Sequence, residues 1–248
     1  MFHITKKEMC NARISNRLCV CLYHFEVHVR VMLAKRIIAK FLIENGRLVK
    51  FRQFTHSKRL AGDAVSTVRT YEDQNVDEMY FCDLGVAAPG LIGEMSKSVS
   101  CPVTVAGSIH TMEQVDALFR DSGADKLVIK DLPLGEAVAK KYGNQAIVFP
   151  IDYHTKCVDN VPDFAGEVLL TDIDRDGMGV GFDLAALDRN WKVPVVLGSG
   201  CGKLDHVKQA FAAGANGVAI SSMFFFSDKS PIKLRSWLVS EGCQVRAA

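Results

Sequence analysis

The chain has no CxxC pair, no apolar run long enough to cross a membrane, little proline and no surplus of charge of either sign, and each absence excludes a class of protein. Its eight cysteines are scattered at 10, 19, 21, 82, 101, 157, 201 and 243 with no secretory signal ahead of them. They read as buried or incidental thiols in a reducing compartment, not as a disulfide framework. The longest apolar stretch, Leu18 to Leu33, is interrupted by His24, Glu26, His28 and Arg30, so a spanning helix is excluded and a cytoplasmic protein is expected. With 30 Lys+Arg against 28 Asp+Glu there is no clustered basic excess to hold a phosphate backbone, and nucleic acid is not an expected partner. Charged residues at 23%, with 19 Gly and 7 Pro, exclude disorder, collagen and coiled coil. The remaining composition, 48% apolar over 248 residues, suffices for one large core or two small ones.

Residues 1–31 stand apart. They carry Cys19, Cys21, His24 and His28, but without the knuckle spacing of a zinc site. The expectation is a poorly ordered extension, or upstream sequence with Met32 as the true start, and no metal. From Met32 onward, short β-branched runs alternate with segments of helical period, the pattern of a parallel α/β fold. Strands are expected at Arg36–Ile43, Glu78–Asp83, Pro102–Gly107, Lys126–Lys130, Ala146–Asp152, Glu167–Asp172, Pro194–Ser199 and Gly217–Ser221. Helices are expected at Ala64–Asp73, Gly90–Ser98, Thr111–Ser122, Gly135–Tyr142, Asp183–Asn190, Leu204–Ala213 and Pro231–Glu241. Eight units over 32–248 leave about 27 residues each, compact but sufficient for a (βα)8 barrel.

An internal repeat argues for closure. Pro102-Val-Thr-Val-Ala-Gly-Ser108, followed by Gly123-Ala-Asp, matches Pro194-Val-Val-Leu-Gly-Ser199, followed by Gly214-Ala-Asn. Glu78-Met-Tyr-Phe-Cys-Asp83 matches Glu167-Val-Leu-Leu-Thr-Asp172 in the same way. Two similar halves of four strands build a TIM barrel from half-barrels. An open doubly wound sheet is the alternative.

Barrel ligands are held at the C-terminal strand ends, where this chain has Asp83, Ser108, Lys130, Asp152, Asp172, Asp174, Ser199, Gly200, Ser221 and Ser222. The run from Asp172 to Gly181 packs three carboxylates, an Arg and three Gly into ten residues. Such a turn brings backbone N–H groups close to an anion while Asp174 and Asp176 orient or deprotonate a substrate. Gly198-Ser-Gly-Cys-Gly-Lys203 fits neither GxGxxG nor a Walker A, since Leu204 stands where Ser or Thr would be required. It remains a Gly-rich strand-to-helix turn suited to an anion, with Ser221-Ser222 as a second set of donors. A phosphate is expected there, with no cofactor.

Met32-Leu-Ala-Lys-Arg-Ile-Ile38, Asn45-Gly-Arg-Leu-Val-Lys50, Leu169-Leu-Thr-Asp-Ile-Asp-Arg-Asp-Gly177 and Pro194 through Arg246 together resemble the cyclase subunit of imidazole glycerol phosphate synthase. The resemblance implies a (βα)8 barrel that accepts ammonia from a partner glutaminase seated at its N-terminal face. Ammonia would travel along the barrel axis to an open-chain aminoimidazole-carboxamide nucleotide bearing two phosphates, closing the imidazole ring in a lyase-type step of histidine biosynthesis. It implies an ammonia gate of Arg36, Glu78, Lys126 and Glu167, with Asp125 near the glutaminase interface. Asp152 matches one of the family's two catalytic aspartates, and Lys50 its mobile-loop lysine. Asp83, Asp174, Asp176, Gly177 and Ser222 are present as well, with Asp152 and Asp176 expected to manage protons and Gly200, Gly202 and Ser222 to hold phosphate.

The synthetic end departs from the family. The other catalytic aspartate falls on Leu42, within Lys40-Phe-Leu-Ile43 where the family has Cys-Leu-Asp-Val, and Glu44 lies one pleat repeat beyond. Lys130-Asp131 replaces an Asn and a small hydroxyl residue, Ser108 a Gly, and Met178 a Thr. Only 14 residues separate Asp152 from Glu167, so the fifth βα unit is expected to lack its hairpin and most of its helix. Leu42 also admits two other readings: a paralogue passing ammonia on to amidinate a surface sugar, or a non-catalytic scaffold that activates its glutaminase.

Overall fold

A computed structural model describes residues 34–59, 62–85, 89–154 and 160–246. The expected N-terminal extension, with its Cys and His residues, lies outside them. The described chain runs β1(Arg36–Glu44), β2(Arg47–Arg52), β3(Thr55–Arg59), α1(Ala64–Glu72), β4(Glu78–Asp83), α2(Pro89–Ser96), β5(Val103–Ala106) and α3(Met112–Arg120). It continues through β6(Lys126–Val128), α4(Leu132–Tyr142), β7(Ile147–Tyr153), β8(Glu167–Asp172), β9(Val195–Leu197), α5(Leu204–Ala212), β10(Gly217–Ile220), α6(Ser222–Phe226) and α7(Pro231–Ser240).

Eight of these strands pair in parallel in the order β1, β4, β5, β6, β7, β8, β9, β10, and β10 returns to β1 from Arg36↔Gly217 to Ala39↔Ile220. That last pairing closes a (βα)8 barrel and excludes the open sheet. The matched segments Glu78–Asp83 and Glu167–Asp172 are the second and sixth barrel strands, four apart, as two half-barrels require.

Alternation along each strand sorts side chains into two layers. Ile37, Ala39, Phe41 and Ile43 of β1 join the core between barrel and helices, together with Phe81, Val105, Leu127, Ile151, Val168 and Val218. Ile38, Tyr80, Ala106, Val148, Leu169, Val196 and Ala219 form a separate apolar cluster inside the barrel. A recurring lock secures the strand starts. The residue before a strand accepts the N–H of the preceding barrel strand: Asp77 Oδ2 from Ile37 at 2.7 Å, Asp125 Oδ2 from Val103 at 2.8 Å, and Asn216 Oδ1 from Val195 at 2.9 Å. The Gly-Ala-Asp and Gly-Ala-Asn repeats are two of these locks.

In the fifth unit, among the described residues, no helix lies between β7 and β8. Phe164, on the short return to β8, is buried with its ring centroid 6.2 Å from that of Phe149, edge-on at 75°. A Cβ on Gly135 of α4 would lie 2.4 Å from the Phe164 ring, so the glycine lets α4 close over the gap. The expected helix Asp183–Asn190 is instead a 3-10 turn, Leu184–Leu187, because Asp183 accepts the Ala185 N–H and tightens the chain at once. The β2–β3 hairpin and α6 were not expected.

Candidate active site

The four strand-start charges meet inside the N-terminal end of the barrel. Arg36 Nη1 lies 2.8 Å from Glu78 Oε2, and its Nη2 bonds Glu167 Oε1. Lys126 Nζ lies 2.9 Å from both Glu78 oxygens and 2.9 Å from Glu167 Oε2. Each cation therefore touches both carboxylates, and Thr104 adds a hydroxyl donor to Glu78. The carboxylate side chains are 4% and 8% exposed, so their full pairing is what makes burial of the charges tolerable. Burial lowers the Lys126 pKa, with Glu78 opposing the shift. The Asp125 carboxylate is the strand lock described above.

At the C-terminal end lies a chamber of about 540 Å³ whose lining includes Asp83, Ser108, Lys130, Asp152 and Asp176, together with Lys40, Leu42, Tyr80 and Cys82. Five expected site residues are thus brought together. Lys40 was passed over in the sequence because a single lysine within an apolar strand gives no motif. Its inward aim follows only from the barrel register that places Arg36, Ile38, Lys40 and Leu42 on one face. Glu44 does not reach the chamber; it sits at the hairpin junction, its Cα opposite that of Arg47. Asp131 caps α4, accepting the Leu134 N–H at 2.8 Å, and its charge is committed to the helix start.

Lys50 lies not on an open loop but on β2, its side chain 7% exposed and its Nζ 3.8 Å from Asp176 Oδ1. Burial takes its pKa down from 10.5 to about 8, Asp176 raising it and Lys40 lowering it further. The hairpin carrying it folds over the mouth. Gln53 donates its backbone N–H to Asp176 O at 2.9 Å and its side-chain amide to Asp174 O at 2.9 Å. A Cβ on Gly177, whose φ is +70°, would meet Phe51 O at 2.9 Å, which ties this glycine to hairpin closure. The turn itself is pinned by Asp172, which accepts the N–H groups of Asp174 and Arg175 at 3.0 and 3.3 Å and pairs with Arg175 Nε at 2.9 Å. Asp174 is exposed and faces His154, Nδ1 to Oδ1 2.9 Å.

The expected phosphate residues are outside the chamber lining. Ser199 donates its hydroxyl to Asp172 O at 2.7 Å. Gly200 and Gly202 are held against the preceding loop: a Cβ on either would meet Gly181 O at 2.1 Å or Gly179 O at 2.5 Å. Gly202 donates its N–H to His206 Nδ1 at 3.2 Å. Ser221 Oγ is buried with no partner among the described residues, and Ser222 opens α6 beside it. Among the described residues no group of His, Cys, Asp and Glu is placed to hold a metal, and no helix is long and apolar enough to cross a membrane.

A family described as histidine biosynthesis protein matches residues 36–230. The imidazole glycerol phosphate synthase subunit HisF of Wolinella succinogenes is 31% identical, covering 86% of this chain and 98% of its own length. That of Bacteroides fragilis is 31% identical over 87% of this chain and 100% of its own. The Mycobacterium bovis subunit is 30% identical over 86% and 96%. The names these relatives carry support the cyclase-subunit reading over the sugar-modifying paralogue. The chain belongs to the histidine-biosynthesis family and resembles the cyclase subunit of imidazole glycerol phosphate synthase.

Proposed function

We propose that the protein is the ammonia-accepting cyclase subunit of a glutamine amidotransferase, docked through its N-terminal barrel face to a glutaminase and closing an imidazole ring at the other face. The observation that carries this is the occupancy of a single barrel interior by a closed four-charge ring at one end and a polar chamber at the other. The two are joined by the apolar cluster of Ile38, Tyr80, Ala106, Val148, Leu169, Val196 and Ala219, of which Tyr80, Ala106 and Leu169 also line the chamber, and this cluster suits a neutral NH3 molecule and rejects ammonium. Because Arg36 and Lys126 each contact both carboxylates, one corner can swing aside while the others stay paired.

In the chamber Asp152 and Asp176 exchange protons with the substrate, and Lys50 holds Asp176 from the hairpin. Asp83, Ser108 and Lys130 contact the open-chain nucleotide, Lys130 as a point charge. Its phosphates are held by Ser221, Ser222 and the Ser199–Gly202 turn, with the Asp174–Gly177 turn closing over the substrate. Of these groups the unpartnered Ser221 hydroxyl is the one in need of a ligand.

The test is an assay of the purified chain with the diphosphorylated open-chain nucleotide and ammonium salt, without any glutaminase. Ring closure, read as appearance of the aminoimidazole carboxamide product, is the expected result. Stimulation of a co-purified glutaminase with no cyclase turnover would favour the scaffold reading instead.

A further inference from the structure

We propose that Lys40 is a catalytic residue of the chamber: the acid that protonates the carbonyl oxygen of the electrophile as ammonia adds to it, in the place vacated at Leu42. This rests on the ammonia-accepting reading above. Lys40 and Leu42 share the inner face of β1, one pleat repeat of about 6 to 7 Å apart, and both line the chamber. Leu42 transfers no proton, and Glu44 lies outside the lining. The lysine has a four-carbon stem that spans the step up to the level of residue 42.

The surroundings of Lys40 leave its charge waiting for a partner. The residue is 8% exposed, yet among the described residues its ammonium makes no ion pair or hydrogen bond. Its contact is the Tyr80 ring, 5.5 Å from Nζ to centroid. An acceptor oxygen entering the chamber completes the site. Burial holds the Tyr80 hydroxyl well above its usual range and raises the Cys82 thiol, Lys40 opposing the latter. Both also feel the charge of Asp152 from β7, the carboxylate across the interior.

The step balances with these two groups. The NH3 lone pair forms the C–N bond, the carbonyl π pair moves to oxygen, and that oxygen takes a proton from Lys40 Nζ. Asp152 removes a proton from the new ammonium nitrogen, giving a neutral carbinolamine. In dehydration the Asp152 carboxylic acid protonates the departing hydroxyl, which leaves as water. The neutral Lys40 amine then takes the iminium proton, so both side chains return to their starting states.

The test uses the full chain, ammonium salt and the diphosphorylated nucleotide in four forms: wild type, Lys40→Cys, Leu42→Asp and the double variant, which restores the family pattern at both positions. Wild type is expected to turn over. Lys40→Cys is expected to lose at least 100-fold in kcat with KM changed less than threefold, within the range for a lost general acid. Alkylation of Lys40→Cys with 2-bromoethylamine, which rebuilds an amine of nearly the same reach, is expected to recover at least a tenth of the rate, with alkylated wild type as the control. The double variant is expected to turn over as well. Lys40→Cys within threefold of wild type, or an inactive wild type beside an active double variant, overturns the role of Lys40 and leaves the ammonia-accepting reading standing. No turnover in any of the four forms overturns both.

Discussion

Lys50 is held between a carboxylate and a second ammonium, and burial dominates its titration, so its charge is costly in the fold at neutral pH. Between about 8, its folded value, and 10.5, its unfolded one, the unfolded chain binds the extra proton, and stability rises with pH through that window. Lys50→Gln removes this term. Relative to Lys50→Gln, wild type is expected to gain about 2 kcal/mol between pH 7.5 and 9.5 in urea unfolding, and an unchanged difference would contradict the assigned environment. The residue types at the strand ends were legible because barrel chemistry concentrates there. Lys40 was not, because its meaning depends on which face of β1 looks inward. Ser199 and Asp131 illustrate the converse: both sit at strand ends, and the structure commits one to a carbonyl and the other to a helix cap.

The elements that sequence reasoning found are those with a period or a punctuating residue. β4 and β8 match their expected bounds, and the helices after them fall within a few residues, apart from the 3-10 turn at Leu184–Leu187. The β2–β3 hairpin escaped for a physical reason. The turn that leads into it from β1, Asn45–Gly46, has φ values of 50° and 73°, the positive pair expected of such residues. The β2–β3 turn itself uses Gln53 and Phe54 at 51° and 56°, residues that carry no turn signal and are held there by the Asp174 and Asp176 carbonyls. Gly177→Ala is expected to release this hairpin, since both its φ and the approach of Phe51 O oppose a side chain. Faster amide exchange at Gln53, at unchanged global stability within about 1 kcal/mol, would register the release. In the fifth unit, where the described residues between β7 and β8 form no helix, Phe164 packs beside the strand instead. Phe164→Ala is expected to cost about 3 to 5 kcal/mol and to lower Tm by about 10 °C, and a drop of under 2 °C would contradict that role.

For the whole molecule, closure depends on ties between distant parts of the chain. Arg235 of α7 lies 2.8 Å from Asp77 Oδ1 and donates to Asn75 O at 2.7 Å, while the other Asp77 oxygen accepts the Ile37 N–H. The last helix is thereby fastened to the seam between β1 and β4. Arg235→Met leaves a buried carboxylate without its cation and is expected to destabilise the barrel by about 3 to 5 kcal/mol in denaturant titration; a loss below 1 kcal/mol would show the tie to be dispensable. The barrel itself was readable from the half-repeat, since two copies of four strands have few other ways to bury both faces.

β1 runs the full height of the lumen, giving Arg36 to the floor, Ile38 to the wall, and Lys40 and Leu42 to the upper storey. Each storey is separated from the next by a pleat, so an exchange of side chain above leaves the floor's pairing undisturbed. The two ends of the lumen can therefore drift apart in evolutionary time, the paired charges below staying as they are while the side chains of the chamber above are exchanged.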